Sequence, residues 1–219
     1  MNVGIIGTGR MGRALAGAWT RSGCHVFLGS RDRERGRAVA KRLGGEVRGG
    51  TVQQAVEFAP VVALVVPWRG VSAALEPIVG ALAGKTLIDC TNPLVDAHAP
   101  LVVGRDTSGA EEIAELVSGA SVIKAFNAIS SRVVASGDPS FAGRRASIFY
   151  CGDDSHARET TASLIDRLGF EACDAGPLSS ARYLEPLAAL SLQLDRTSEA
   201  ETEIVLAPLR RTRVLANRC

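Results

Sequence analysis

Gly7, Gly9 and Gly12 stand in G-x-G-x-x-G spacing, directly after the apolar run of residues 2–7 (NVGIIG) and directly before a segment of helical period at residues 10–22. Each glycine meets a steric need of that junction. Gly7 permits a tight turn out of the strand, Gly9 lets a diphosphate approach the main chain, and Gly12 lets the helix pack against the strand it follows. A helix start also leaves main-chain N–H groups unsatisfied and carries a partial positive charge, which suits an anion. Gly7, Thr8, Gly9, Arg10, Met11 and Gly12 are therefore the expected wall of a dinucleotide-binding turn.

The same alternation continues along the chain. Apolar runs recur at 24–29, weakly at 46–48, then at 61–66, 85–90, 121–126, 146–151 and 170–174. Helical segments separate them at 31–43, at 69–83 with Pro77 as an interruption, and at 155–168 with Asp153, Asp154 and Ser155 as N-cap candidates. Thr51 with Gln54 and Ser108 with Glu111 have capping-box spacing. Continuous rather than alternating apolar runs indicate strands buried on both faces. The expected fold is α/β: a Rossmann-type doubly wound parallel sheet with a small C-terminal helical/αβ extension. Residues 1–140 would form the dinucleotide-binding domain, and residues 141–219 a small C-terminal part completing the sheet and the substrate cleft. From Pro177 the period is helical, with Leu184, Leu187, Leu190 and Leu194 on one stripe facing the sheet, a dimer partner or a substrate pocket. The tail RRTRVLANRC is expected to be a solvated end.

The end of the second strand selects the nucleotide. An acidic residue there would bond a ribose 2′-hydroxyl and repel a 2′-phosphate. This chain has Ser30 and Arg31 instead, with Asp32 displaced into the helix start, which points to NADP(H). Thr8, Ser30 and Arg31 are the expected 2′-phosphate contacts, and Arg35 is the next candidate. Later strand ends supply Val66, Pro67, Trp68, Asn92, Pro93, Phe126 and Asn127 to the cofactor. Trp68 and Phe126 suit ring contact and simple packing equally. Asn92 and Asn127 are the catalytic candidates, because an amide at a strand end can bond a carboxamide or a ribose.

Composition narrows the remaining classes. The chain of 219 residues is 46% hydrophobic and 22% charged, which fits a globular protein rather than a disordered one. No apolar run reaches the roughly 18 to 20 residues of a spanning helix, and strand pattern begins right after Met1, so a cytoplasmic location is expected. The 25 basic residues are interspersed with 23 acidic ones for a net charge of +2, giving no reason to expect nucleic acid. The five cysteines form no CxxC pair and the three histidines show no ligand spacing, so buried reduced thiols and no metal are expected. There is no Ser/Tyr/Lys arrangement and no Cys/His pair either.

The segments GTGRMG, GSRDRER, VVPW, DCTNPL, VIKAFNAI, CGDD and DAGPLSSARYLEPLA occur in an order and spacing that resembles the small NADPH-dependent oxidoreductases. That family includes the NADP-dependent reductases of the deazaflavin coenzyme F420, and its nucleotide-binding part is similar to that of the flavin-linked metalloreductases. The resemblance spans about residues 2–195. It implies a Rossmann-type domain, usually a homodimer, that transfers a hydride between NADP(H) and a deazaflavin or flavin ring, with little acid–base machinery. Phe126, Asn127 and Ala128 replace a histidine and proline segment of the deazaflavin reductases, so KAFN is closer to the flavin-linked and generic branch. Two other readings stand beside this one: direct reduction of a small organic substrate, an imine or activated double bond, and an NADP-sensing module without turnover.

Overall fold

In the computed structural model, residues 1–94, 106–197 and 203–209 are described. Ten strands occur in chain order: β1 (Asn2–Ile6), β2 (His25–Ser30), β3 (Arg48–Thr51), β4 (Val61–Leu64), β5 (Thr86–Asp89), β6 (Ser121–Ala125), β7 (Ser140–Phe141), β8 (Arg144–Arg145), β9 (Ser147–Gly152) and β10 (Glu171–Asp174). β7 and β8 pair as a separate hairpin, and the other eight form one sheet in the order β10-β9-β6-β5-β4-β1-β2-β3. The first six strands are parallel and have the doubly wound order 3-2-1-4-5-6.

The central strands are mostly apolar because successive side chains enter two different cores. In β4, Val61 and Ala63 join the layer of Ile5, Leu15, Trp19 and Ile123, while Val62 and Leu64 join Leu75, Leu87, Ile113 and Leu184 on the other face. Trp19 is the largest fully buried side chain. Its indole meets the Phe126 ring edge-on at 5.7 Å and donates from Nε1 to the Leu164 carbonyl at 3.3 Å.

One departure from a parallel sheet lies at its far edge. β9 runs antiparallel to β6, and β10 lies parallel to β9, so the last two strands oppose the first six. A parallel return takes a crossover, usually a full helix. Between β6 and β9 the chain has only the six-residue α7 (Ser131–Ser136) and the β7–β8 hairpin. An apolar run buried on both faces carries no sign of its direction, which the connection decides.

The helices follow their caps. α1 (Arg10–Arg21) starts at Gly9, α2 (Arg33–Leu43) at Asp32, and α3 (Val52–Phe58) at the Thr51–Gln54 capping box. The segment at 69–83 breaks into α4 (Val71–Leu75), a 3-10 turn holding Pro77, and α5 (Val79–Leu82), since proline lacks the helical N–H donor. Ser108 caps α6 (Gly109–Leu116), and Asp154 caps α8 (Ser155–Asp166). Asp153 departs from the expected helix-start role: its carboxylate accepts from the Leu178 N–H at 2.9 Å and so ties down the approach to α9 (Ala181–Thr197).

The leucine stripe of α9 is only partly covered. Leu184 is buried and Leu187 packs on the core, whereas Leu190 is 52% exposed. The tail 210–219 lies outside the described residues. α9 is fastened to α6 by Arg182, which donates to Glu111 from Nε at 2.9 Å and from Nη2 at 2.7 Å. Those bonds hold the Glu111 carboxyl below its ordinary range. A depressed carboxyl contributes stability above its unfolded pKa and loses it as pH falls through the lower folded value. Urea midpoints from pH 6 down to pH 3 should therefore fall more steeply in the wild type than in Glu111→Gln; parallel curves would remove this clamp from the acid transition.

Candidate functional site

β1 lies between β2 and β4, where the strand order reverses, and there a cleft of about 590 Å³ opens at the strands' carboxyl ends. Its floor is the glycine turn. Gly7 has φ of 125°, and a Cβ on it would collide with the Val65 carbonyl; one on Gly12 would collide with the Gly7 carbonyl. Gly9 is the opposite case: a Cβ there would meet nothing, because its face is open to the cleft. Gly9 offers no side-chain cap and the first turn of α1 holds no acid, so the helix N-terminus is left to an anion. The turn thus fits a dinucleotide's diphosphate.

The end of β2 forms one flank. Ser30 is buried, and its hydroxyl accepts from the Asp32 N–H at 3.3 Å. The Asp32 carboxylate caps α2, accepting from the N–H groups of Glu34 at 2.9 Å and Arg35 at 3.1 Å. The single acid near the strand end is thereby occupied by the helix. Arg31 and Arg35 are exposed, line the cleft and have no ion-pair partner among the described residues, while Arg37 pairs with Glu34 at 3.0 Å. Thr8, Val66 and Pro67 line the same cleft. Arg69, which the sequence analysis did not single out, lines it too.

Beyond Gly9 the cavity continues into a second cleft of about 430 Å³, which shares the wall Gly9, Val65, Val66, Pro67 and Arg69. Arg10, Met11, Trp68, Cys90, Thr91, Asn92 and Leu94 complete it among the described residues. Trp68 packs on the core and also lines this cleft. Burial and the Asp89 carboxylate push the Cys90 thiol well up, which keeps it protonated.

Asn92 and Asn127 come together. The Asn127 amide donates to Asn92 Oδ1 at 3.1 Å and to the Leu184 carbonyl at 2.8 Å, and Asn92 Nδ2 donates to the Asn127 carbonyl at 2.9 Å. Both donor hydrogens of Asn127 are therefore used inside the protein. Pro93 is buried. Of the two readings of Phe126, packing is the one its placement favours: the residue is 1% exposed, in the core against Trp19. The residue has φ of 61°, an unfavourable conformation for an aromatic residue, held just where the strand hands over to Asn127.

Behind the asparagines lies a buried ion cluster missed by the sequence analysis. Lys124 Nζ donates to Asp89 Oδ2 at 2.8 Å, to Glu185 Oε1 at 2.8 Å and to the Thr91 carbonyl at 2.6 Å. All three charged side chains are 0% exposed. Burial pulls the Lys124 pKa down, but the two carboxylates more than offset this and raise it above the ordinary lysine value. A signal was available: Asp89 and Lys124 each interrupt an apolar strand, and they are register partners. Opposite charges in neighbouring buried strands have to find one another.

Residues 2–93 match the family model described as NADP oxidoreductase, coenzyme F420-dependent. The F420-dependent NADP reductase of Methanothermobacter marburgensis is 31% identical over 211 residues, covering 89% of this chain and 92% of the relative. The chain belongs to that family. The F420-dependent NADP reductase family has a structural neighbour here in a crystal structure from Arthrobacter sp. FB24, provisionally described as such a reductase, with a TM-score of 0.80, 27% identity and coverage of 89% and 93% of the two chains. The metalloreductase STEAP3 of Rattus norvegicus is 33% identical over 185 residues, but the chain, 84% of which is covered, spans only 36% of that longer protein. The match to the family model ends before Asn127, Lys124 and Glu185, whose placement rests on the geometry above.

Proposed function

We propose that the protein is an NADP-dependent oxidoreductase that transfers a hydride directly between NADP(H) and a deazaflavin of the F420 type or a flavin, working as a homodimer in the cytoplasm. The observation that carries the nucleotide is the β2 end: a hydroxyl and two unpaired guanidinium groups line the cleft, and the nearby Asp32 carboxylate is occupied by the α2 N-terminus. The names of the relatives support the acceptor. Exposed Tyr183, Leu190 and Leu192 on α9 support a self-association face.

Bound NADPH supplies the hydride and the acceptor ring takes it. The protein's part is holding and drying. Gly7, Gly9, Gly12 and the α1 N-terminus hold the diphosphate, with Arg10 and Met11 beside it. Thr8, Ser30, Arg31 and Arg35 take the 2′-phosphate end. Val66, Pro67 and Trp68, in the wall of the second cleft, would exclude water from the nicotinamide half. Asn92, Pro93, Asn127 and the Phe126 main chain orient it. Positioning of this kind lowers the barrier without a proton relay.

The test is anaerobic NADPH oxidation followed spectroscopically against a panel of deazaflavin, FMN, FAD, an imine and an enone. Turnover with a deazaflavin or flavin is expected. NADPH binding with no oxidation by any member of the panel would leave a sensing module, and oxidation by the imine or enone alone would move the protein to direct reduction.

A further inference from the structure

The Asp89–Lys124–Glu185 cluster has no part in holding the diphosphate or the 2′-phosphate, yet it is the most demanding feature of the interior. Buried ion clusters are weak sources of stability, since apolar replacements of similar volume often do as well or better. What such a cluster does provide is one geometry, because each charge must keep its partners. Here the geometry is that of the second cleft's wall. Asp89 Oδ1 accepts from the Thr91 N–H at 2.8 Å while Lys124 donates to the Thr91 carbonyl, so both main-chain polar groups of Thr91 are gripped. The next residue, Asn92, is locked to Asn127.

The third member comes from elsewhere in the chain. Glu185 on α9 pairs with Lys124 and also accepts from the Gly109 N–H at 3.0 Å and the Ala110 N–H at 3.1 Å, joining the start of α6 to the cluster. Its neighbour Leu184 supplies the carbonyl that takes the Asn127 amide. Two adjacent residues of α9 thereby brace the wall at Thr91 through Lys124 and at Asn92 through Asn127.

We propose that Glu185 is a positioning residue for the nicotinamide half of the cofactor, acting through Lys124 on the Thr91–Asn92 wall. This rests on the NADP(H) reading above. The test compares two ligands on the full chain without any hydride acceptor: NADPH, which fills both clefts, and 2′-phospho-ADP-ribose, which lacks the nicotinamide. In Glu185→Gln, the Kd for NADPH is expected to rise on the order of tenfold, the equivalent of about one hydrogen bond, with the Kd for 2′-phospho-ADP-ribose unchanged. A second variant, Asp89→Leu/Lys124→Met/Glu185→Leu, removes the charges together and should show the same split while remaining folded. Equal weakening of both ligands, or no weakening of either, overturns the inference and leaves the cluster a structural element. Failure of the wild type to bind either ligand instead overturns the NADP(H) reading itself.

Discussion

Arg31→Glu is expected to reverse the nucleotide preference. A guanidinium–phosphate hydrogen bond is charge-assisted and contributes about 1.5–3 kcal/mol, and a carboxylate in its place adds a repulsion of about 1 kcal/mol at an exposed site. The sum corresponds to a loss of about 100- to 1000-fold in kcat/KM for NADPH. NADH, which has no phosphate to lose, should stay within about threefold. Arg31 is exposed and makes no ion pair among the described residues, so the change should leave folding unaffected and the kinetics interpretable. The ratio of the two kcat/KM values, or of two Kd values from fluorescence titration, measures the effect. An unchanged ratio would remove Arg31 from the 2′-phosphate site.

Lys124→Met should cost about 3–5 kcal/mol of stability, because two buried carboxylates would then face each other without a cation. That is a fifth or more of the stability of a typical domain, about 5–15 kcal/mol. The urea midpoint should fall accordingly at neutral pH. Removing all three charges together should recover most of the loss, short of the α6 cap that Glu185 supplies, which is worth about 1 kcal/mol. The pH dependence has a definite sign. Because the lysine is raised in the folded state, its contribution is complete below the ordinary lysine pKa and disappears only as pH rises through the higher folded value. A single substitution costing less than about 1 kcal/mol would show that the pair is not desolvated in solution.

Much of the nucleotide half was legible in the sequence, because its signals are local. Gly7, Gly9 and Gly12 act through main-chain sterics at one turn, and Asp32 caps the helix it begins, so spacing alone places them. The opposed direction of β9 is a property of the connection and leaves no trace in SIFYCG itself. Asp153 and Asp154 look alike in sequence, but one caps α8 and the other reaches Leu178, 25 residues on. Phe126 could have faced either side; a positive φ that no pattern announces turns it inward. The ion cluster needed three distant segments to meet, of which two, Asp89 and Lys124, were exposed as anomalies by the apolar strands around them.

The two clefts share only a short wall, Gly9 with Val65 to Pro67 and Arg69, and are otherwise built by separate means. Main-chain turns and helix caps shape the first; an interior salt cluster and an amide pair, braced by a helix from the far end of the chain, shape the second. This division makes the scaffold modular. On the proposed reading, descendants of such a chain would exchange one cofactor for another by replacing surface side chains at the β2 end, without disturbing the interior. Altering what meets the nicotinamide would require coordinated change in β5, β6 and α9, a slower evolutionary step.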